Sequence, residues 1–123
     1  MPIKVFLVED TPQLQSVITE LLASLGDFVI AGTATTEAEA NLWLVEHPDS
    51  WDLAIIDLVL EQGTGMGVIA RCRRTCPAGK VVVFSDYVTP GIRRHCIALG
   101  AEVVISKGDM AGFTGYCSEV ATA

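Results

Sequence analysis

A chain of 123 residues, half of them apolar and with a mean hydropathy of +0.45, is long enough for one domain with a real core and too short for two. Eight Lys+Arg against 15 Asp+Glu leave a net charge of −7, the wrong sign for gripping nucleic acid by its phosphates, so no direct nucleic-acid contact is expected. The run Met1-Pro2-Ile3-Lys4-Val5 turns polar at Glu9, too soon for a signal segment or a membrane span, and a soluble cytoplasmic domain over residues 1–123 is expected.

Apolar runs alternate with helical patterns along the whole chain. Ile3 to Val8 is β-branched and apolar and stops at Glu9-Asp10. Thr11 and Pro12 then open a helix in which Leu14, Val17, Ile18, Leu21, Leu22 and Leu25 recur at three- and four-residue spacing until Gly26. Phe28 to Thr33 is a second strand, and Thr36 with Glu39 forms a capping box for a helix carrying Ala38, Leu42 and Val45 that Pro48 terminates. Leu53 to Asp57 is the third strand. Gly63-Thr64-Gly65 leads into a helix with Met66, Ile69 and Cys72 inward and Arg71, Arg73 and Arg74 near its C-terminus, closed by Pro77.

The fourth strand, Lys80 to Phe84, is nearly continuous Val, as befits a parallel strand covered on both faces. Thr89-Pro90 starts a helix with Ile92, Cys96 and Leu99 inward and Gly100 as its C-cap. A short fifth strand, Val103 to Ile105, precedes Ser106-Lys107-Gly108. The last helix, Asp109 to Val120, buries Met110, Phe113, Cys117 and Val120, while Gly112 and Gly115 cost it roughly 1 kcal/mol each against Ala, making it the softest element. Strict alternation predicts an α/β fold: a doubly wound parallel sheet of five strands with five crossover helices.

Cys72, Cys76, Cys96 and Cys117 read as reduced core thiols, since there is no secretory signal, no stapled loop-rich character and no CxxC pair for zinc. His47 and His95 read as a helix-end and a surface helix residue.

Four strands end in groups suited to a phosphoryl site: Glu9-Asp10, Asp57, Ser85 and Lys107. In a doubly wound sheet the ligand crevice lies beyond the carboxyl ends of the strands, so these endings converge. Three carboxylates in one crevice would raise one another's pKa unless a cation intervened, and Mg²⁺ suits such a site. Asp57 is then the candidate carboxylate nucleophile, Lys107 a mobile positive charge, and Ser85 a hydroxyl donor. Singly, each residue is more often a cap, a turn or a solvated loop residue.

These motifs resemble the response-regulator receiver domain of two-component signalling, a flavodoxin-like fold of strand order 2-1-3-4-5. Val8-Glu9-Asp10, Asp57-Leu58-Val59-Leu60 with Gly63-Thr64-Gly65-Met66, Phe84-Ser85, and Leu99-Gly100-Ala101 leading to Ser106-Lys107 carry the resemblance. It implies that Asp57 accepts phosphate from a sensor histidine kinase or histidine phosphotransfer protein, a signalling role and not that of a turnover enzyme. It further implies that Asp10, Asp57 and the Val59 carbonyl ligate Mg²⁺, that Glu9 reaches the ion through water, and that Ser85 and Lys107 bind the phosphoryl group.

The chain departs from receivers in three places. The aromatic usual three residues before the lysine is Val104, the Pro after it is Gly108, and the small residue after Ser85 is Asp86, expected to face solvent. Val59 and Tyr87, two residues beyond Asp57 and Ser85, are expected to obstruct an attacking water and lengthen the life of the acyl phosphate. Output to an unnamed downstream protein is expected over the fourth helix, fifth strand and fifth helix, near Arg93, Arg94 and His95. Rival readings are a phosphate-independent pseudoreceiver, a receiver cut from a longer regulator, and a haloacid-dehalogenase-like phosphatase, which would need an acid where Val59 stands.

Overall fold

The computed structural model describes residues 1–123. The alternation becomes ten elements: β1 (Ile3–Val8), α1 (Pro12–Leu25), β2 (Phe28–Ala34), α2 (Glu37–Glu46), β3 (Leu53–Ile56), α3 (Gly65–Thr75), β4 (Lys80–Ser85), α4 (Pro90–Leu99), β5 (Val103–Ser106) and α5 (Met110–Thr122). The five strands are all parallel, in the order β2-β1-β3-β4-β5. Strand order reverses at β1, so the crevice lies over the carboxyl ends of β1 and β3. No helix is long and apolar enough to cross a membrane.

Two cores sandwich the sheet, and the two-residue period of each strand divides its side chains between them. Phe6, Val8, Ala54, Ile56, Val81, Val83 and Val104 face α2, α3 and α4. Val5, Leu7, Leu53, Ile55, Val82, Phe84 and Ile105 face α1 and α5, where the Phe84 and Phe113 rings stack 4.2 Å apart. A bulge lets β2 serve both cores. Val5 pairs with Ile30 and Phe6 with Gly32, leaving Ala31 unpaired, so Phe28 and Ile30 pack toward α1 whereas Ala34 packs toward α2.

The capping box forms with a one-residue offset: Thr36 Oγ1 accepts from Glu39 N at 3.1 Å, and Glu39 Oε1 accepts from Thr35 N at 3.1 Å. Thr89 Oγ1 caps α4 through Ile92 N at 3.1 Å. Gly100 ends α4 with φ at 124°, a conformation that favours glycine. Thr11 makes no side-chain cap bond.

Packing overrides the sequence pattern in three helices. On α2, Ala40, Leu44 and the half-buried Trp43 face inward, while Ala38, Leu42 and Val45 are exposed. Both stripes have helical spacing, but Trp43 stacks on Phe6 with ring centroids 4.2 Å apart, and that aromatic area decides the face. Val17 on α1 and Met110 on α5 are likewise exposed. Asp57 lies one residue beyond β3, with its N–H still bonded to the Val8 carbonyl at 3.0 Å.

Candidate functional site

Glu9, Asp57 and Lys107 each follow directly from the end of a strand, so the backbone fixes where they emerge, and Asp10 follows Glu9. Glu9 leaves β1, and its N–H bonds to the Ala34 carbonyl at 3.0 Å. Lys107 follows β5, and its N–H bonds to the Ser85 carbonyl at 2.9 Å. Carboxylate oxygens of Glu9, Asp10 and Asp57 can lie within 4.8 Å of one another.

Glu9 and Asp57 are only 2% and 5% exposed, so their charge must be met inside the protein. Lys107 Nζ meets it, lying 2.9 Å from Glu9 Oε1 and 2.8 Å from Asp57 Oδ2. Burial lowers the affinity of the Lys107 ammonium for its proton, but hydrogen bonds and charge from Asp57 and Glu9 outweigh this and push its pKa above the ordinary lysine value. The second Glu9 oxygen, Oε2, accepts from Thr11 N at 2.9 Å, and Asp57 Oδ1 accepts a long bond from Val59 N at 3.3 Å. Asp10 is the least committed carboxylate, with only a 3.4 Å contact from the Thr11 hydroxyl.

Three carboxylates against one ammonium leave a deficit of positive charge that a hard divalent cation would fill. The donor set is all oxygen, as Mg²⁺ requires. Asp10 is open to it, whereas both Glu9 oxygens are already held, which fits a water-mediated role for Glu9. The residues therefore fit the ion.

Ser85 ends β4 beside Ser106 of β5, fully buried, and the hydrogen bond at its Oγ is received from Tyr87 N at 3.4 Å. Asp86, Val59 and Tyr87 are exposed. Val104 is buried against the α2–α4 layer, and the Arg93 guanidinium donates to its carbonyl oxygen. A groove of about 460 Å³ runs along β5 between Arg93, Asp109, Tyr116 and Glu119. Arg94 and His95 are exposed on α4. The four cysteines are free and buried, and burial pushes Cys72 and Cys117 up to about 12.

Three contacts escaped the sequence pattern. Gln15 Nε2 donates to the Glu9 carbonyl at 2.6 Å, Glu37 Oε1 accepts from Thr64 N at 2.8 Å, and a Cβ at Gly65 would collide with the Asp57 carbonyl oxygen. Only the last had a signal, the closely spaced glycines after β3.

A five-stranded parallel sheet of order 2-1-3-4-5 with an acidic cluster and a bridging lysine at its switch point is the arrangement of the flavodoxin-like receiver fold. Residues 5–111 match the response regulator receiver domain, and the chain belongs to that family. It is 29% identical to the nitrate/nitrite response regulator protein NarL of Escherichia coli K12 over 84 residues, 68% of this chain and 38% of that protein. Over 104 residues it is 33% identical to a putative transcriptional regulator of Pseudomonas aeruginosa, covering 85% of this chain and 49% of that one. The chain thus spans less than half the length of these curated relatives. Its fold superposes on a LuxR-family two-component response regulator from Aurantimonas sp. SI85-9A1 with a TM-score of 0.85 at 18% identity, covering 99% of this chain and 86% of that one.

Proposed function

We propose that Asp57 is the phosphoacceptor of a two-component or phosphorelay system. The observation that carries this reading is the placement of Asp57: 5% exposed, ion-paired to Lys107 at 2.8 Å, and clustered with Glu9 and Asp10. A carboxylate so placed is held in one orientation and shielded from bulk water, which suits a nucleophile. One Asp57 oxygen forms the new O–P bond while the bond from phosphorus to the imidazole nitrogen of a kinase or phosphotransfer histidine breaks. The imidazole keeps that electron pair and takes a proton from solvent.

Lys107 has three N–H donors and spends two on Glu9 and Asp57, leaving one for a phosphoryl oxygen. Mg²⁺, held by Asp10, Asp57 and the Val59 carbonyl with Glu9 acting through water, would neutralise further phosphoryl charge. Ser85 is sealed from solvent and its Oγ accepts from Tyr87 N at 3.4 Å, so its hydroxyl reaches a phosphoryl group only if the residues covering it shift. That required movement is the first step of the signal. It passes from Ser85 to the paired Ser106 and along β5, changing the face of α4, β5 and α5 that a downstream protein would read. Val104 places no ring in this path.

Incubation with Mg²⁺ and acetyl phosphate, followed by intact mass, tests the reading. The expected result is one added phosphoryl group on the wild type and none on Asp57→Asn. An unlabelled wild type would reject it in favour of a phosphate-independent module, and equal labelling of both proteins would reject Asp57 as acceptor.

A further inference from the structure

We propose that Glu37 is a positioning residue for the loop after Asp57, acting as the N-terminal cap of a helix other than its own. The inference rests on the Mg²⁺ site proposed above, because that loop carries the Val59 carbonyl.

Glu37 is the first residue of α2, yet its side chain serves α3. Thr64, the N-cap of α3, makes no side-chain cap bond, and the first turn of α3 holds no acidic residue. Helix N-termini need an acceptor for their free N–H groups and favour negative charge. Glu37 supplies both from 27 residues away: Oε1 accepts from Thr64 N at 2.8 Å. The chain makes room for this carboxylate. A Cβ at Gly63, where φ is +80°, would lie 2.5 Å from Glu37 Cβ, and a Cβ at Gly67 would collide with Oε2. The Glu37 N–H also donates to the Gln62 carbonyl at 3.0 Å.

Thr64 is in turn paired with Val59 by an isolated antiparallel bridge, and Gly65 N bonds to the Leu58 carbonyl at 3.0 Å. The loop from Leu58 to Thr64 is therefore closed on itself at its base, and Glu37 holds that base against α2. Residues behind a metal ligand set its affinity by fixing its orientation. Glu37 stands two contacts behind the Val59 carbonyl.

The test is direct Mg²⁺ titration by calorimetry on the full chain, with circular dichroism to verify the fold. Glu37→Ala is expected to raise the Mg²⁺ Kd about tenfold, the low end for residues behind a ligand. Two further variants separate reach from charge. Glu37→Gln keeps the reach and the acceptor oxygen and should retain most of the affinity; Glu37→Asp keeps the charge in the first turn of α2 but withdraws from Thr64 and should lose it. Glu39→Ala removes a cap contact of α2 without touching the loop and should bind Mg²⁺ as the wild type does. Wild-type affinity in Glu37→Asp, or an equal loss in Glu39→Ala, would overturn the proposal, and these two folded-helix comparisons decide it even if Glu37→Ala unfolds. A wild type that binds no Mg²⁺ would instead sink the underlying metal site.

Discussion

The crevice over β1 and β3 and the outer edge of β5 lie on one sheet with β4 between them, yet they are held together by different physics. In the crevice, Glu9 and Asp57 are buried and share one ammonium, so each charge depends on the others. Along β5, the polar contacts come from long side chains at the surface, the exposed Arg93 on the Val104 carbonyl and the half-buried Tyr116 on the exposed Glu102. Buried charges restrict what may occupy a position; exposed contacts restrict little. The first region is suited to chemistry that admits few substitutions, and the second to a surface that can change partners or shape.

Removing Lys107 should produce the largest effect. Lys107→Met would leave Glu9 and Asp57 as uncompensated buried charges, a loss of about 3 kcal/mol in urea unfolding without metal. Added Mg²⁺ should restore part of it, since the ion supplies the missing positive charge. The pH dependence has a definite sign. Because the folded Lys107 pKa is raised, its contribution is fully present below the unfolded value of 10.5 and is lost as pH rises through the folded value. As pH rises, the gap between wild type and Lys107→Met should therefore persist until strong alkali. A gap already absent at neutral pH would show that the crevice tolerates its acids unpaired.

Next in size is the lifetime of the acyl phosphate. Val59 and Tyr87 are both exposed, at 49% and 61%, beside otherwise buried groups. Polar side chains there would hold an attacking water where these obstruct it. The double variant Val59→Asn with Tyr87→Glu should lose phosphate severalfold faster, measured by intact mass over time. An unchanged rate would place the limit on hydrolysis elsewhere.

The two regions also differed in how far their sequence could be read. Glu9-Asp10 and Lys107 are legible because each ends a strand whose apolar period is unmistakable, and the topology brings such ends together. Glu37 is not legible: its partner Thr64 is distant in sequence, and nothing in a capping box says that one of its neighbours caps another helix. The α2 face is ambiguous in the sequence for a related reason, since Ala38-Leu42-Val45 and Ala40-Trp43-Leu44 are both spaced for a helix face and only the neighbouring Phe6 ring chooses. Arg93 looks like any solvated charge until β5 is seen to be an edge strand with a carbonyl to offer.

Smaller effects are expected on the α5 side. At Gly115 a Cβ would meet nothing within 4 Å, whereas at Gly112 it would collide with the Asp109 carboxylate that caps α5 through Gly112 N at 2.9 Å. Gly115→Ala should thus stabilise the protein by about 1 kcal/mol, raising the thermal midpoint. Gly112→Ala should gain nothing, because the helix propensity it adds is offset by a disturbed cap. Equal gains from both would mean that the Asp109 cap contributes nothing.

Arg93→Ala should have the smallest effect on stability. The Val104 carbonyl belongs to an edge strand, so water can replace the guanidinium, and alanine spares the side-chain entropy that ordering an arginine costs on folding. The expected loss is about 0.5 kcal/mol in urea unfolding, with labelling of Asp57 unchanged. The comparison of the two regions turns on this number. A loss near that of Lys107→Met would mean that the β5 side is as tightly coupled as the crevice. A small loss would leave α4 and β5 joined by a contact weak enough for phosphorylation to rearrange.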